Sequence, residues 1–302
     1  PLKYNFKIQL LRAITQSELI LNADGSIYHL NLKPADIATT IITVGDPDRV
    51  TEVSKYFDTI EFKQHKREFK THTGIYKGKR ITVISTGIGT DNIDIVFNEL
   101  DALVNIDFST RTIKKEHTTL TFIRIGTSGA IQENIPIDSF LISEKAIGFD
   151  NLLRFYDTGS LLDDGFSDAL KIHCKWSPKN ASPYVVNASK KLLSDFNATI
   201  FSRGCTATNV GFYGPQGRTL RLKVKDENLN NNLACFEYQG VKITNLEMET
   251  SGIYGLAALL GHQAISLNAI LANRATQTFS ASPNKTVARL ITTTLNIIAN
   301  KV

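Results

Sequence analysis

Apolar runs that stop at a glycine and lead into a helix constrain the fold of this chain more than any other feature. Residues 38–44 form a β-branched run that ends at Gly45, which predicts a buried strand. Asp46 and Pro47 then supply an N-cap and a first-turn proline for a helix that reaches about Tyr56. Strands that alternate with helices in this way predict an α/β fold.

The same alternation continues to the C-terminus. Further strands are predicted at 69–76 and 80–85 (a hairpin), 121–125, 139–147, 199–207 and 264–272, and helices at 92–104, 188–196, 248–260 and 286–298. The polar, Asn-rich segment 216–232 is predicted to be a mobile loop. The pattern predicts an α/β sandwich with a mainly parallel or mixed sheet. Because no Pro/Ser/Gly-rich linker divides the chain, we expect one domain, residues 17–302, after a disordered or foreign N-terminal extension, residues 1–16.

Charge and cysteine content narrow the function classes. The 302 residues carry a net charge of +5, which favours an anionic ligand. Lys and Arg are scattered along the sequence and no motif that binds a nucleic-acid groove occurs, so we expect the anionic ligand to be phosphate rather than nucleic acid. No apolar run approaches the length of a membrane span. Cys174, Cys205 and Cys235 are odd in number and lack CxxC spacing, which argues against a disulfide framework, and we expect a cytoplasmic protein.

Two arginines stand where a phosphate site is expected. Arg49 lies one turn into the helix that follows Gly45, and the N–H groups and dipole of a helix start attract anions. A capped helix with a surface arginine explains this motif equally well. Arg124 lies within an apolar strand, where its burial costs free energy unless a bound anion or an internal carboxylate pairs with its charge. Because Thr127 and Ser128 follow where α/β sheets bind ligands, we expect phosphate there, with a structural ion pair as the alternative.

Two further segments carry groups suited to a sugar and to a planar base. The Glu-Met-Glu segment 247–249 precedes an apolar helix, where a carboxylate can accept from both hydroxyls of a ribose and a thioether suits a sugar face. Simple acidic preference at a helix start is the alternative. In segment 212–218, Phe212 offers a stacking face, while Gln216 and Arg218 offer polar groups to a ring with carbonyls. A polar loop with an aromatic anchor is the alternative there.

The order of these motifs resembles the nucleoside phosphorylase-I family from about Ser26 to the C-terminus. The matching stretches are 28–30 (YHL), 45–50 (GDPDRV), 66–69 (KREF), 85–89 (STGIG), 123–131 (IRIGTSGAI), 212–218 (FYGPQGR), 247–249 (EME) and 273–274 (NR). The resemblance implies a single-domain three-layer α/β sandwich with a twisted, partly barrelled mixed sheet, assembled as a homohexamer of dimers. It also implies phosphorolysis of uridine to uracil and ribose 1-phosphate, with inorganic phosphate as co-substrate and no required cofactor.

The resemblance assigns roles to individual residues. Phosphate would be held by Gly45, Arg49, Arg124, Thr127 and, donated by a neighbouring subunit, Arg67. Ribose would be held by Glu247, Met248, Glu249 and, donated in the same way, His29. The base would be held by Ser128, Gly129, Phe212, Gln216, Arg218 and Arg274. The catalytic set would be Arg124, Glu249, Gln216 and Arg218. Glu68 is a candidate ligand for a monovalent cation such as K⁺. Taken alone, His29 would be an ordinary histidine and Arg67 solvated charge.

Three other functions stay open at this point. The resemblance implies that a purine-cleaving relative would use an aspartate near residues 267–274, but no Asp or Glu follows Glu249. A nucleosidase, which uses water, would have no need of Arg49 and Arg124. A non-catalytic nucleoside-binding relative would keep the same residues. Segment 107–119 is longer than the family pattern and receives no function.

Overall fold

Residues 12–196 and 199–301 are described by the computed structural model, in which helices cover both faces of a large mixed sheet. The strands are β1 (Thr40–Val44), β2 (Thr59–Lys66), β3 (Phe69–Tyr76), β4 (Lys79–Ser85), β5 (Ile106–Asp107), β6 (Thr112–Ile113), β7 (Thr121–Ala130), β8 (Phe140–Gly148), β9 (Tyr184–Asn187), β10 (Phe201–Thr208), β11 (Glu237–Tyr238), β12 (Val241–Glu247), β13 (Gln263–Asn273) and β14 (Thr278–Phe279). The helices are α1 (Pro47–Ser54), α2 (Thr90–Asn105), α3 (Asp164–His173), α4 (Lys190–Asp195), α5 (Leu229–Cys235), α6 (Thr250–Leu259) and α7 (Pro283–Lys301). In the described part of the chain, none of them is long and apolar enough to cross a membrane.

The sheet closes on itself along part of its width. Its strand order is β11-β12-β10-β8-β13-β7-β1-β4-β3-β2. β12 pairs in parallel with β10 and also antiparallel with β7. Strands β7, β13, β8, β10 and β12 therefore form a closed ring, which we call the five-strand ring. The predicted mixed, partly barrelled sheet is confirmed.

The central strands β1 and β7 carry apolar side chains on both faces, because helices cover both sides of the sheet. Successive strand residues point to opposite faces of a sheet. Accordingly Ile42 and Ile123 join the core that holds apolar side chains of α1, α4 and α7. Ile41 and Phe122 join a second core with side chains of α2 and α6. The two cores on either side of one sheet confirm the three-layer sandwich.

Strand β1 and helix α1 agree closely with the prediction from the sequence. Asp46 caps α1 by accepting a hydrogen bond from the Asp48 N–H (2.9 Å), and Pro47 occupies the first helical position. The predicted hairpin is β3 and β4, which pair antiparallel. Gly89, with φ of 100°, ends the glycine turn and begins α2, a backbone conformation that favours glycine.

Three predictions of local structure differ from the structure. The strand predicted to end at residue 125 continues to Ala130, because β13 pairs with β7 along its whole length and tolerates the two glycines. Strands β2, β9 and β12, the two-residue strands β5, β6, β11 and β14, and helix α3 were not predicted, since their sequences lack a long apolar run. Segment 216–232 is not loop throughout: its end enters α5, whose Leu233 is fully buried.

The start of the chain contacts segment 107–119. Ile14 donates its N–H to the Arg111 carbonyl (2.7 Å), and the Arg111 guanidinium donates back to the Ile14 carbonyl (2.8 Å). Segment 107–119 itself contains most of the small β5–β6 hairpin. Residues 1–11 of the predicted extension lie outside the described residues, and the domain boundary at residue 17 stays a prediction.

Candidate active site

A cavity of about 690 Å³ lies at the ends of β1 and β12 and along the second half of β7. It brings together residues that are more than two hundred positions apart in sequence, such as Gly45 and Glu249. The predicted site residues that line it are Gly45, Arg49, Glu68, Arg124, Thr127, Ser128, Gly129, Phe212, Gln216, Arg218, Glu247, Met248 and Glu249. The phosphate, ribose and base segments predicted from sequence therefore share one cavity.

Arg124 is buried between two carboxylates. Its Nη2 lies 3.0 Å from Glu247 Oε2 and 2.6 Å from Glu249 Oε2, and its Nη1 donates to Asn268 Oδ1 (3.2 Å). Burial alone would lower the pKa of Arg124, but Glu247 and Glu249 outweigh burial and raise it. The internal ion pair considered from sequence exists, and Arg124 also lines the cavity.

Arg49 adds a second cation near Arg124. Burial lowers the pKa of the half-buried Arg49, Asp46 opposes that effect, and the like charge of Arg124 adds to it. Two guanidinium groups that repel each other beside one cavity are suited to an anion that lies between them. This arrangement can hold a phosphate.

Gly126 is required by the position of the Arg124 side chain. A Cβ at this glycine would lie 2.0 Å from Arg124 Nη1, far inside van der Waals contact. The guanidinium therefore lies directly over the glycine backbone. The sequence predicted that the strand ends before Gly126. In the structure the strand continues, and the missing side chain of Gly126 leaves room for the Arg124 guanidinium.

Glu247 at the end of β12 and Glu249 at the start of α6 differ in how many carboxylate lone pairs remain free. Glu247 accepts from Thr208 Oγ1 (2.6 Å) and from the N–H groups of Glu249 and Thr250 (each 3.0 Å), in addition to Arg124. These partners fill its lone pairs. Among the described residues, Glu249 accepts only from the Gly89 N–H (3.0 Å) and from Arg124, so its carboxylate keeps lone pairs for a ligand. Burial raises the pKa of Glu249, Arg124 opposes the increase, and Glu247 adds to it.

The opposite end of the cavity is more open. Phe212 is 50% exposed, and the Arg218 guanidinium carbon lies 3.8 Å from its ring centre. Arg218 Nη1 donates to the side-chain oxygen of the buried Gln216 (2.6 Å) and to the Phe212 carbonyl (2.7 Å). The three residues thus hold one another in position beside the cavity, with an aromatic face, an amide and a guanidinium together.

Three predicted residues lie outside this cavity. His29 Nδ1 is 2.6 Å from Glu99 Oε1. Arg67 is exposed, with a φ of 57°, and lies over the Tyr28 ring at 5.8 Å. Arg274 donates to the Gln216 carbonyl (3.1 Å) and so supports the turn that carries Gln216.

Some cavity residues received no role from the sequence. Asn92 and Ile88 come from the glycine turn and the start of α2, and Leu271 and Phe279 come from β13 and β14. Phe279 is 66% exposed. They are ordinary surface or strand residues in sequence, and only the packing of α2 and β13 beside β7 brings them to the cavity.

A second, larger cavity of about 1130 Å³ lies on the other side of Arg218. Trp176 lines it and stacks on Phe149 at 4.8 Å between ring centres, and the basic segment 221–225 forms one wall. Arg218 lines both cavities, but the second one contains none of the paired arginines and glutamates. We therefore assign the candidate active site to the smaller cavity.

Outside the cavity, Asp101, His117 and His262 form the metal-like cluster of the described residues. Nδ1 of His262 accepts the Leu120 N–H (3.1 Å), so its Nε2 carries the proton and cannot bind a metal in the neutral ring. That Nε2 lies 3.2 Å from Asp101 Oδ1, close enough for attraction although poorly aligned for a hydrogen bond. The Nε2 of His117 faces the Leu260 carbonyl (2.9 Å). These contacts favour a hydrogen-bonded cluster over a metal site.

Comparison of the sequence with known proteins identifies the family. Residues 39–300 match the sequence model of the Phosphorylase superfamily. A uridine phosphorylase of Thermococcus kodakarensis is 30% identical over 279 residues, 91% of this chain and 88% of the relative. A DeoD-type purine nucleoside phosphorylase of Alkaliphilus metalliredigens is 29% identical over 243 residues, 79% of this chain and 84% of the relative.

A solved structure supports the fold. The crystal structure of a Trypanosoma brucei nucleoside phosphorylase, described as showing uridine phosphorylase activity, superposes with a TM-score of 0.82 at 28% identity. The alignment covers 93% of this chain and 98% of the other. The family resemblance carried by the motifs and the predicted fold are both confirmed.

Proposed function

We infer that this chain, which belongs to the phosphorylase superfamily, catalyses the phosphorolysis of uridine to uracil and ribose 1-phosphate in pyrimidine nucleoside salvage. The observation that carries this proposal is the single cavity with Arg49 and Arg124 at one end and Phe212, Gln216 and Arg218 at the other. The curated uridine phosphorylases among its relatives support the same substrate.

The anion end would hold the nucleophile and the sugar. Arg49, Arg124, Gly45 and Thr127 would bind phosphate through charge-assisted hydrogen bonds. Glu249 would accept from the ribose hydroxyls with the lone pairs that its protein partners leave free. Its negative charge beside the sugar would also stabilise positive charge that develops on the ribose ring as the glycosidic bond lengthens.

The base end would take up the leaving group. Phe212 would stack on the uracil ring, and Gln216 with Arg218 would donate to its carbonyls as negative charge builds up on the base. Ser128 and Gly129 would complete this wall, and Met248 would contact the sugar face. Phosphate attacks the opposite side of the ribose anomeric carbon, so the protein contributes mainly by holding both reactants in line.

We also propose a site shared between two subunits. His29 and Arg67 lie near each other through Tyr28 but outside the cavity of their own chain, as expected if each serves a neighbouring cavity. A dimer with shared sites, assembled into a homohexamer, follows from the family resemblance. Glu68, which lines the cavity, stays the candidate ligand for a K⁺ ion. A cytoplasmic location also stays a prediction.

A substrate panel tests the reaction. We expect phosphate-dependent release of uracil and ribose 1-phosphate from uridine, with inosine and adenosine far slower, because no acidic residue follows Glu249 to protonate a purine. Equal or faster purine turnover would point to a purine phosphorylase. Uridine cleavage without phosphate would point to a nucleosidase, and binding of uridine without turnover would point to a non-catalytic relative.

The shared site has its own test. Arg67→Ala and Glu249→Ala are each expected to be nearly inactive alone. When the two variants are unfolded and refolded together, mixed two-fold dimers carry one site with both defects and one intact site. Random pairing makes half the dimers mixed, so about a quarter of wild-type activity should return. If mixing is demonstrated and no activity returns, both residues serve the same chain.

A further inference from the structure

A belt of buried polar side chains runs once around the five-strand ring. It starts at Arg124 on β7 and passes through one side chain on each of the other four strands before it returns to β7. The members are Arg124, Asn268 of β13, Ser143 of β8, Thr206 of β10, Asn245 of β12 and Ser128 of β7. The four middle side chains are fully buried.

Each link of the belt is a hydrogen bond between neighbouring strands. Arg124 Nη1 to Asn268 Oδ1 is 3.2 Å and Asn268 Nδ2 to Ser143 Oγ is 3.1 Å. Ser143 Oγ to Thr206 Oγ1 is 2.5 Å, and Thr206 Oγ1 to Asn245 Oδ1 is 2.9 Å. The last link, Asn245 Nδ2 to Ser128 Oγ, is 2.9 Å.

The direction of every proton in the belt follows from its starting point. A guanidinium only donates, so Asn268 must present its oxygen to Arg124 and its N–H to Ser143. Ser143 then gives its own proton to Thr206, since no other acceptor faces its hydroxyl among the described contacts. The opposite direction would leave the buried Ser143 O–H without a partner, which is costly.

The same logic continues to Ser128. Thr206 passes its proton to Asn245 Oδ1, which also accepts from Thr244 Oγ1 (2.8 Å). Asn245 therefore presents its N–H to the Ser128 oxygen. Ser128 lines the cavity, and its own proton has no acceptor among the described protein contacts.

We propose that this belt holds the Ser128 hydroxyl as a donor toward the base end of the cavity, so that Ser128 selects a base carbonyl over a base amino group. The inference rests on the proposed pyrimidine substrate and deepens it. Uracil carries a carbonyl where cytosine carries an amino group, and an amino group facing a donor leaves two hydrogens opposed. Asn245 and Asn268 act as positioning residues, and Ser128 touches the base.

Calorimetric binding of the free bases uracil and cytosine tests the proposal. Wild type should prefer uracil. Ser128→Ala should weaken uracil binding roughly 10-fold, the effect of one lost hydrogen bond, while cytosine binding should be no weaker than in wild type. Ser128→Thr, which keeps a hydroxyl, should retain the preference. Unchanged uracil binding in Ser128→Ala would overturn the proposal even if no other variant folds.

Asn245→Leu tests the positioning role separately. Without the Asn245 N–H, both lone pairs of the Ser128 oxygen are free and the hydroxyl can turn to accept from an amino group. Cytosine binding should then strengthen a few-fold while uracil binding changes little. In the Ser128→Ala background, Asn245→Leu should give no such gain. Thr244→Val is the matched control, because it removes a hydroxyl that contacts Asn245 Oδ1 (2.8 Å) and the Cys205 carbonyl (2.9 Å) but lies outside the belt; both bases should bind as in wild type.

Two results would reduce the belt to a structural role. One is equal weakening of both bases by Asn245→Leu, and the other is a cytosine gain that persists without the Ser128 hydroxyl. The test is separate from that of the proposed reaction, since turnover with phosphate reports the reaction and base binding reports the belt. Selective uracil binding without uridine cleavage would contradict the proposed reaction but would still support the role of the belt in base selection.

Discussion

The two ends of the cavity are built differently. At the anion end, Arg124 is 6% exposed and has carboxylate, amide and hydroxyl partners on two strands and one helix start. At the base end, Phe212 is 50% exposed, and Arg218 is held mainly by the turn that carries it. The first end is preorganised by the sheet, whereas the second depends on a local turn. Changes at the anion end should therefore affect every substrate, and changes at the base end should affect only the choice of base.

Arg124→Ala should give the largest effect. We expect kcat/KM at limiting phosphate to fall by about 100-fold or more, since charge-assisted hydrogen bonds are worth roughly 1.5–3 kcal/mol each. The free energy of unfolding should also fall by about 3–5 kcal/mol, because two buried carboxylates lose their partner. Denaturant unfolding measures this, with Lys191→Ala in the exposed Lys191–Asp195 pair as a control of nearly unchanged stability. Unchanged phosphate dependence would show that Arg124 is only a structural ion-pair partner.

Gly126→Ala should come next in size. The added methyl group would lie 2.0 Å from Arg124 Nη1, so the guanidinium must move away from the anion. A roughly 10- to 100-fold loss of kcat/KM for phosphate is expected from disturbed charge-assisted hydrogen bonds, with a smaller change in uridine affinity. Gly214→Ala at the open base end should have little effect, because no atom of the described residues other than its chain neighbours lies within 4 Å of an added Cβ. Equal losses in the two variants would argue against the difference between the ends.

Glu249 should give the anion end a pH dependence. Burial raises the pKa of Glu249, so the group takes up a proton at a pH where an ordinary glutamate is still ionised. Since the ionised form is needed to accept from ribose, kcat/KM should fall about tenfold per pH unit below that raised pKa. Uracil binding at the base end should stay flat over the same range. If kcat/KM of Glu249→Gln still falls at low pH in the same way, another group is responsible for the titration.

Phe212→Ala should have the smallest effect of these changes. A half-exposed stacking face is worth about 0.5–1.5 kcal/mol, so KM for uridine should rise roughly 5-fold while KM for phosphate stays unchanged. Phe155→Ala, an 81% exposed phenylalanine outside both cavities, is the matched control. A parallel rise in the phosphate KM would mean that the two ends are coupled through the turn.

The local features of this protein were readable from its sequence. The β-branched run before Gly45, the Asp46 cap and the Pro47 start predicted β1 and α1, because each depends on residues only a few positions apart. The site motifs were readable for the same reason: a glycine turn, a Glu-Met-Glu segment and an FYGPQGR turn are each continuous in the chain. Strands β2 and β12 were missed because polar residues interrupt them, and their stability comes from strand pairing rather than from local apolar pattern.

The partners of each functional side chain were decided by the tertiary structure alone. Nothing near Arg124 in sequence indicates that Glu247 and Glu249 neutralise its charge. Nor does it indicate that protein donors occupy the lone pairs of Glu247 while some of those of Glu249 stay free. The belt is the clearest case, since nothing around Ser143 or Asn268 in the sequence indicates that the two side chains meet. Their hydrogen bonds exist only once β12 closes onto β7 and the register of five strands is set. Side chains far apart in sequence meet through that long-range pairing, which no local pattern encodes.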